Sequence, residues 1–176
     1  MNTPSTNRCV RILGIDPGSR ITGYGIVEAE KNKVRFVDCG VVKVGGDDFS
    51  LRLKIIFDAL GDIIAEHVPE QLAIEKVFVH RNVTSALKLG QARGAALLAA
   101  ATRGLDVYEY SPNEIKQAVT GRGHADKAQI QHMIRVLMGL REAPAADAAD
   151  ALAVAICHAH LAQTRKRLAT AGAGVP

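Results

Sequence analysis

The hydrophobic period of this chain changes at Gly45-Gly46, and the change restricts the fold more than any other feature of the sequence. Before it, apolar residues come in strand-like runs. Residues 9–15 (CVRILGI) stop at the turn sequence Asp16-Pro17-Gly18-Ser19, and residues 22–29 alternate with glycines before Glu30-Lys31-Asn32-Lys33. Residues 34–44 are rich in β-branched side chains, which suit a pleated, half-buried surface. Three strands joined by turns can pair as an antiparallel meander.

Beyond Gly46 the period becomes helical. Leu53, Ile56, Phe57, Leu60, Ile63 and Ile64 recur at helical spacing over residues 50–67, and Pro69 closes the segment. Residues 71–77 (QLAIEKV) return to a strand, 83–103 form a long helix and 105–110 another strand. Helices between strands imply parallel crossovers. Ser111-Pro112-Asn113-Glu114 carries the N-cap, N1 proline and N3 glutamate of a helix start, and Asp126-Lys127-Ala128-Gln129 starts the next helix. Pro144 separates that helix from an Ala-rich one over about residues 145–162. The sum is an α/β layer fold, a five-stranded mixed sheet flanked by helices. It forms one domain over residues 9–162, with flexible termini expected at 1–8 and 163–176.

Composition agrees. At 176 residues, with 48% hydrophobic and 23% charged side chains, the chain suits one globular domain with its own core. It shows neither a membrane-length apolar run nor a signal-peptide pattern, so no membrane association and a cytoplasmic location are expected. Cys9, Cys39 and Cys157 are odd in number and sit among apolar neighbours, which suits buried reduced thiols rather than disulfides or zinc ligands. The net charge of +4 and isoelectric point near 9.1 favour a polyanionic partner, though only weakly. With no Trp and 4% aromatics, a base-stacking platform is poorly supported, and a nucleic acid would be held by phosphates and shape.

Four carboxylates stand out. Asp16 follows an apolar strand directly, where Pro17-Gly18 turns the chain and would present its carboxylate at the sheet edge; an Asp that only caps its own turn is the plainer alternative. Glu75 sits inside Leu72-Ala73-Ile74-Glu75-Lys76-Val77-Phe78, where a buried Glu needs compensation from a metal or a salt bridge. Asp147 and Asp150 project from one face near the start of the last helix. They are either two solvated first-turn acids or paired ligands, and they are the only charges between Glu142 and Arg165, in a segment that otherwise looks buried. Oxygen-only ligands from two strands and a helix suit hard divalent cations, Mg²⁺ or Mn²⁺. Two such ions could orient a water and stabilise the departing 3′ oxygen of a phosphodiester, which is hydrolysis.

The blocks Ile12-Leu13-Gly14-Ile15-Asp16-Pro17-Gly18-Ser19-Arg20 with Thr22-Gly23-Tyr24-Gly25, Ala73-Ile74-Glu75-Lys76-Val77-Phe78, Ser85-Ala86-Leu87-Lys88-Leu89-Gly90-Gln91-Ala92-Arg93-Gly94 and Ala146-Asp147-Ala148-Ala149-Asp150-Ala151-Leu152 follow in that order. Together they closely resemble the RuvC family, the bacterial crossover-junction endodeoxyribonucleases, over about residues 11–162. The resemblance implies an RNase H-like fold, a homodimer and Mg²⁺-dependent paired nicks placed symmetrically across a four-way (Holliday) junction in DNA. Asp16, Glu75, Asp147 and Asp150 match the family's acidic positions, implying two Mg²⁺ per subunit, with Mn²⁺ able to substitute. It further implies basic groups near the scissile strand at Lys116 and Lys127, an aromatic at the junction centre at Phe78, and RuvA and RuvB as branch-migration partners; Arg81 and Asn82, between the 71–77 strand and the long helix, are candidates for backbone contacts by their place in the chain. Without it, Lys116 and Lys127 would be surface lysines and Phe78 a core residue.

Ala86, Gly90 and Gly94 recur every four residues and would let a helix approach closely, within the subunit or across a dimer. His124 and His158 receive no role. Two rivals differ in class. Gly14-Ile15-Asp16-Pro17-Gly18 resembles the first phosphate loop of the actin, sugar-kinase and heat-shock ATPases, but those need two lobes. A non-catalytic junction-binding module would need none of the four acids.

Overall fold

A computed structural model of the chain describes residues 8–31, 33–77, 83–123 and 125–172, with side chains as far as 164. The first three strands are β1 (Val10–Asp16), β2 (Ile21–Glu30) and β3 (Lys33–Lys43), followed by α1 (Phe49–His67), β4 (Gln71–Glu75), α2 (Val83–Ala101) and β5 (Asp106–Tyr110). The helices α3 (Pro112–Thr120), α4 (Lys127–Leu137) and α5 (Ala146–Gly172) complete the chain. The sheet order is β3-β2-β1-β4-β5. β1, β2 and β3 pair antiparallel, whereas β4 and β5 run parallel to β1. The expected mixed sheet of five strands is the one that forms.

Both faces of the sheet are covered. Leu13, Ile15, Ile26, Leu72 and Ile74 pack with Ile56, Leu60 and Ile64 of α1 and the alanines of α2. Ile12, Val27, Ala73 and Tyr110 point to the opposite face and pack on α5. This split follows from the period of two along each strand. α5 is buried continuously over residues 151–159, because the sheet lies on one side of it and α3 and α4 on the other. A helix apolar all round is a helix covered all round.

Glycines set how closely α5 approaches. A Cβ on Gly14 would lie 2.1 Å from the Ala151 carbonyl oxygen, one on Gly23 2.0 Å from that of Asp147, and one on Gly25 2.7 Å from the amide nitrogen and Cγ of Leu152. Gly14 and Gly25 are register partners, and Gly23 is opposite Asp16. The ends of two strands thus form a floor without side chains, on which the helix backbone rests.

The last helix continues past residue 162, the expected end, to Gly172. Nothing in Thr164–Ala171 breaks a helix, and its Arg, Lys, Leu and Ala are good helix formers. Cys39 and Cys157 are half-buried and buried as expected, but Cys9 is exposed, because it precedes β1 at the rim of the sheet. Among the described residues no helix is long and apolar enough to cross a membrane.

Gly14→Ala should destabilise the chain by about 1–3 kcal/mol or more, as overpacking against backbone does. Gly45→Ala, whose added methyl meets nothing within 4 Å, should stay within about 0.5 kcal/mol of the parent. Urea unfolding midpoints of the two variants check the contrast.

Candidate active site

β1 and β4 are parallel and in register from Ile12↔Gln71 to Ile15↔Ile74. Asp16 and Glu75, the next residue on each strand, therefore end neighbouring strands side by side. Both share a face with Gly14 and Ala73, the face that α5 covers. Glu75 is the last residue of its strand and not an interior one, as the sequence had suggested. The reason lies in its neighbours: β1 leaves the sheet at Pro17 and β5 ends at Tyr110, so β4 loses its partners, apart from a Lys76 amide bond to the Tyr110 carbonyl.

The turn after Asp16 is held by buried Thr22, whose hydroxyl donates to the Gly18 carbonyl at 2.9 Å and accepts from the Gly18 amide at 3.3 Å. Buried Arg52 of α1 directs its guanidinium to the Ser19 carbonyl at 3.5 Å and over the Phe49 ring. On the other strand, Arg93 of α2 donates to the Glu75 carbonyl at 3.2 Å and pairs with Glu109 at 2.7 Å. The sequence placed Arg93 in a family-like block without a task; its partners are distant in the chain and no local pattern announces them.

Asp147 lies in the first turn of α5 and Asp150 in the next, brought over the ends of β1 and β4 by the glycine floor. Lys116 of α3 and Lys127, the first residue of α4, approach from the other side. Each helix begins with a capping box, Ser111 with Glu114 and Asp126 with Gln129, which fixes where the two lysines start. Asp16, Glu75, Asp150, Lys116 and Lys127 line one open cleft of about 400 Å³. Asp147 is not part of that lining, but its charge reaches Asp16.

The acids perturb one another. Asp16 is pushed up to about 7, first by burial and then by the charges of Asp150, Glu75 and Asp147, with Lys127 opposing. Burial also raises Glu75 above the usual carboxylate range, followed by the charge of Asp150, while Lys116 and Lys127 pull it down. Asp150 is raised by burial foremost and by Asp147, against Lys127 and Lys116. The nearest counter-ion contact is loose: Lys127 Nζ is 4.0 Å from Asp150 Oδ2, with the lysine side chain 88% exposed. Such a pair contributes little in water.

Among the described residues, no three His, Cys, Asp or Glu side chains converge into a ready-made coordination shell. The donor set still fits a hard cation: oxygen ligands only, beside an open cleft, where burial and then mutual repulsion raise one acid to about 7. Phe78, Arg81, Asn82 and His124 lie outside the described residues. Gly90 and Gly94 face open space rather than a helix of the same chain, since a Cβ on either meets nothing within 4 Å.

The topology is that of an RNase H-like domain. The Holliday junction resolvase of yeast mitochondria shares this fold, with a TM-score of 0.64 over 89% of this chain and 81% of that one, at 15% identity. Within that class, the chain belongs to the RuvC family: the family model described as Crossover junction endodeoxyribonuclease RuvC matches residues 12–158. The Crossover junction endodeoxyribonuclease RuvC of Marinobacter nauticus is 54% identical over 164 residues, 93% of this chain and 94% of the relative. Thermus thermophilus RuvC in complex with Holliday junction substrate superposes with a TM-score of 0.83 at 38% identity, covering 89% of this chain and 96% of that one.

Because Asp16 titrates near 7 when folded and near 4 when unfolded, the folded chain holds the extra proton between those values. The stability linked to that proton is present below about pH 4 and is lost as pH rises through 7. In chelator, Asp16→Asn should therefore melt above the parent at pH 7.5, and the gap should shrink at pH 4.5. Thermal scans at the two pH values test this; an equal gap at both would exclude the ionisation of buried Asp16 as its source.

Proposed function

We propose that this chain is a structure-selective endonuclease that resolves Holliday junctions in DNA recombination and repair, by paired, symmetric, Mg²⁺-dependent phosphodiester hydrolysis. The observation that carries it is the placement of Asp16 and Glu75 at the ends of two parallel strands, beside Asp150 in one open cleft, in a chain of the RuvC family. Such a cluster calls for cations. Asp16, Glu75, Asp147 and Asp150 would hold two Mg²⁺ per subunit, or Mn²⁺ in their place. Bound there, the ions supply Lewis-acid stabilisation of the phosphodiester and a water nucleophile at neutral pH.

The chain's own groups divide the remaining work. Lys116 and Lys127 flank the cleft, where each can bind a phosphate of the scissile strand and offset negative charge developing on it. Their attraction also opposes the upward push of burial on Glu75 and Asp150 and so favours the ionised form that a metal ligand needs. Phe78 is assigned to the junction centre on family resemblance, and Arg81 and Asn82 to its backbone by their place in the chain between β4 and α2.

Two symmetric nicks need two sites, which a homodimer provides. The face of α2 that carries Gly90 and Gly94 supports this, since it faces open space and exposes Leu87 and Leu98. Contacts with RuvA and RuvB rest on resemblance, and a DNA substrate places the work in the cytoplasm.

A synthetic mobile four-way junction should be cut with Mg²⁺ and left intact in chelator, while linear duplex of the same sequence resists. Equal cutting of both, or cutting in chelator, would sink the proposal. Asp16→Asn and Glu75→Gln should lower cleavage by several orders of magnitude and leave junction binding in place, as gel shifts would show. Lys116→Ala and Lys127→Ala should each lower the rate on the order of 10²-fold and flatten its salt dependence.

A further inference from the structure

His158 is 1% exposed, and both of its ring nitrogens are engaged. Nδ1 lies 2.6 Å from the Tyr110 hydroxyl, and Nε2 lies 2.8 Å from Gln71 Oε1. The Tyr108 ring is tilted against the imidazole, at a centroid distance of 4.3 Å. Of the two neutral tautomers, the one with its proton on Nε2 satisfies both contacts: the Tyr110 O–H donates to Nδ1 and Nε2–H donates to Gln71.

The three residues lie on three elements that the acid cluster uses or adjoins. Tyr110 is the register partner of Glu75. Gln71 begins β4, the strand that Glu75 ends. His158 shares α5 with Asp147 and Asp150. From Gln71 to Glu75 the strand covers about 13 Å at its usual rise, and from Asp150 to His158 the helix covers about 12 Å. Asp147 rests against Gly23 and Ala151 against Gly14, so α5 runs against β1 and β4 and the two spans match; His158 thereby comes within reach of Gln71, while Tyr110 reaches it from the Glu75 end. A tie at one end therefore fixes how the acids align at the other.

We propose that the Tyr110–His158–Gln71 chain is a positioning device, which sets α5 in register along β4 so that Asp150 and Asp147 share cations with Glu75 and Asp16. The proposal rests on the acidic-site reading above. Hydrogen bonds that orient metal ligands from behind typically carry a ten- to hundredfold effect on metal affinity. Here the tie acts on the element that bears the ligands and not on the carboxylates themselves. Apolar packing alone tolerates small slides of a helix along a sheet, whereas two directional bonds from one ring do not.

Calorimetric titration of Mn²⁺ into the full chain without DNA tests this. His158→Leu and Tyr110→Phe should weaken Mn²⁺ binding on the order of tenfold, and the Mg²⁺ concentration for half-maximal junction cleavage should rise by the same factor. Cleavage at saturating Mg²⁺ and junction binding in chelator should stay within about twofold of the parent. His158→Asn, which keeps an acceptor for Tyr110, should recover part of the affinity. Unchanged Mn²⁺ affinity in folded His158→Leu and Tyr110→Phe, with only a lowered melting temperature, would overturn the proposal. If His158→Leu does not fold, Tyr110→Phe and Gln71→Met decide on the same criterion. Asp16→Asn serves as the reference: parental Mn²⁺ affinity there would overturn the acidic-site reading and this proposal with it, whereas weakened binding there beside parental His158 and Tyr110 variants overturns this proposal alone.

Discussion

The contact of α5 backbone with sheet backbone is what the rest of the molecule depends on. Gly14, Gly23 and Gly25 carry no Cβ where Ala151, Leu152 and Asp147 come to rest, so the helix seats at a distance set by main-chain atoms. Main-chain contacts yield less than side-chain ones, since no rotamer change can relieve them. The acids inherit that rigidity. Asp16 is opposite Gly23, and the Asp147 carbonyl would collide with any side chain at Gly23, so the floor that admits the helix also fixes the distance between two of the four carboxylates. α3 and α4 then close over the outer side of α5, bringing Lys116 and Lys127 to the same cleft.

Holding four acids together works against folding, and apolar burial elsewhere has to outweigh it. α5 is the main source: Leu152, Val154, Ile156 and their alanine neighbours are almost wholly buried. At about 25 cal/mol per Å² of apolar surface, each buried Leu or Ile contributes about 1.5–3 kcal/mol, enough to outweigh repulsion between partly solvated carboxylates. The same helix thus carries the repulsion and much of what offsets it.

The order of elements was legible because hydrophobic period is a local property. The 50–67 helix, the capping boxes at Ser111 and Asp126 and the sheet class all followed from spacing and composition, and each reappears in the fold. Of the acids, Asp16 could be read from its turn and Glu75 from the apolar residues around it, though its place at the very end of β4 depends on where two other strands stop. The purpose of the glycines in β1 and β2 could not be read, because the atoms they make room for lie more than a hundred residues away in the chain. Arg93 and His158 escaped because their partners sit on other elements, beyond the reach of any local pattern. The end of the last helix was placed too early: the Arg-Lys-Arg-Leu stretch after residue 164 sustains it to Gly172.

Lys127 occupies the first position of α4, where the unpaired amides of a helix start already gather positive charge. A cation there opposes the helix dipole, whereas Asp147 in the first turn of α5 agrees with it. The residue proposed to meet a phosphate is therefore poorly suited to the helix that bears it. Selection for thermal stability alone would discard it early, and a variant hardened in that way would be a more durable fold with a weakened grip on the scissile strand.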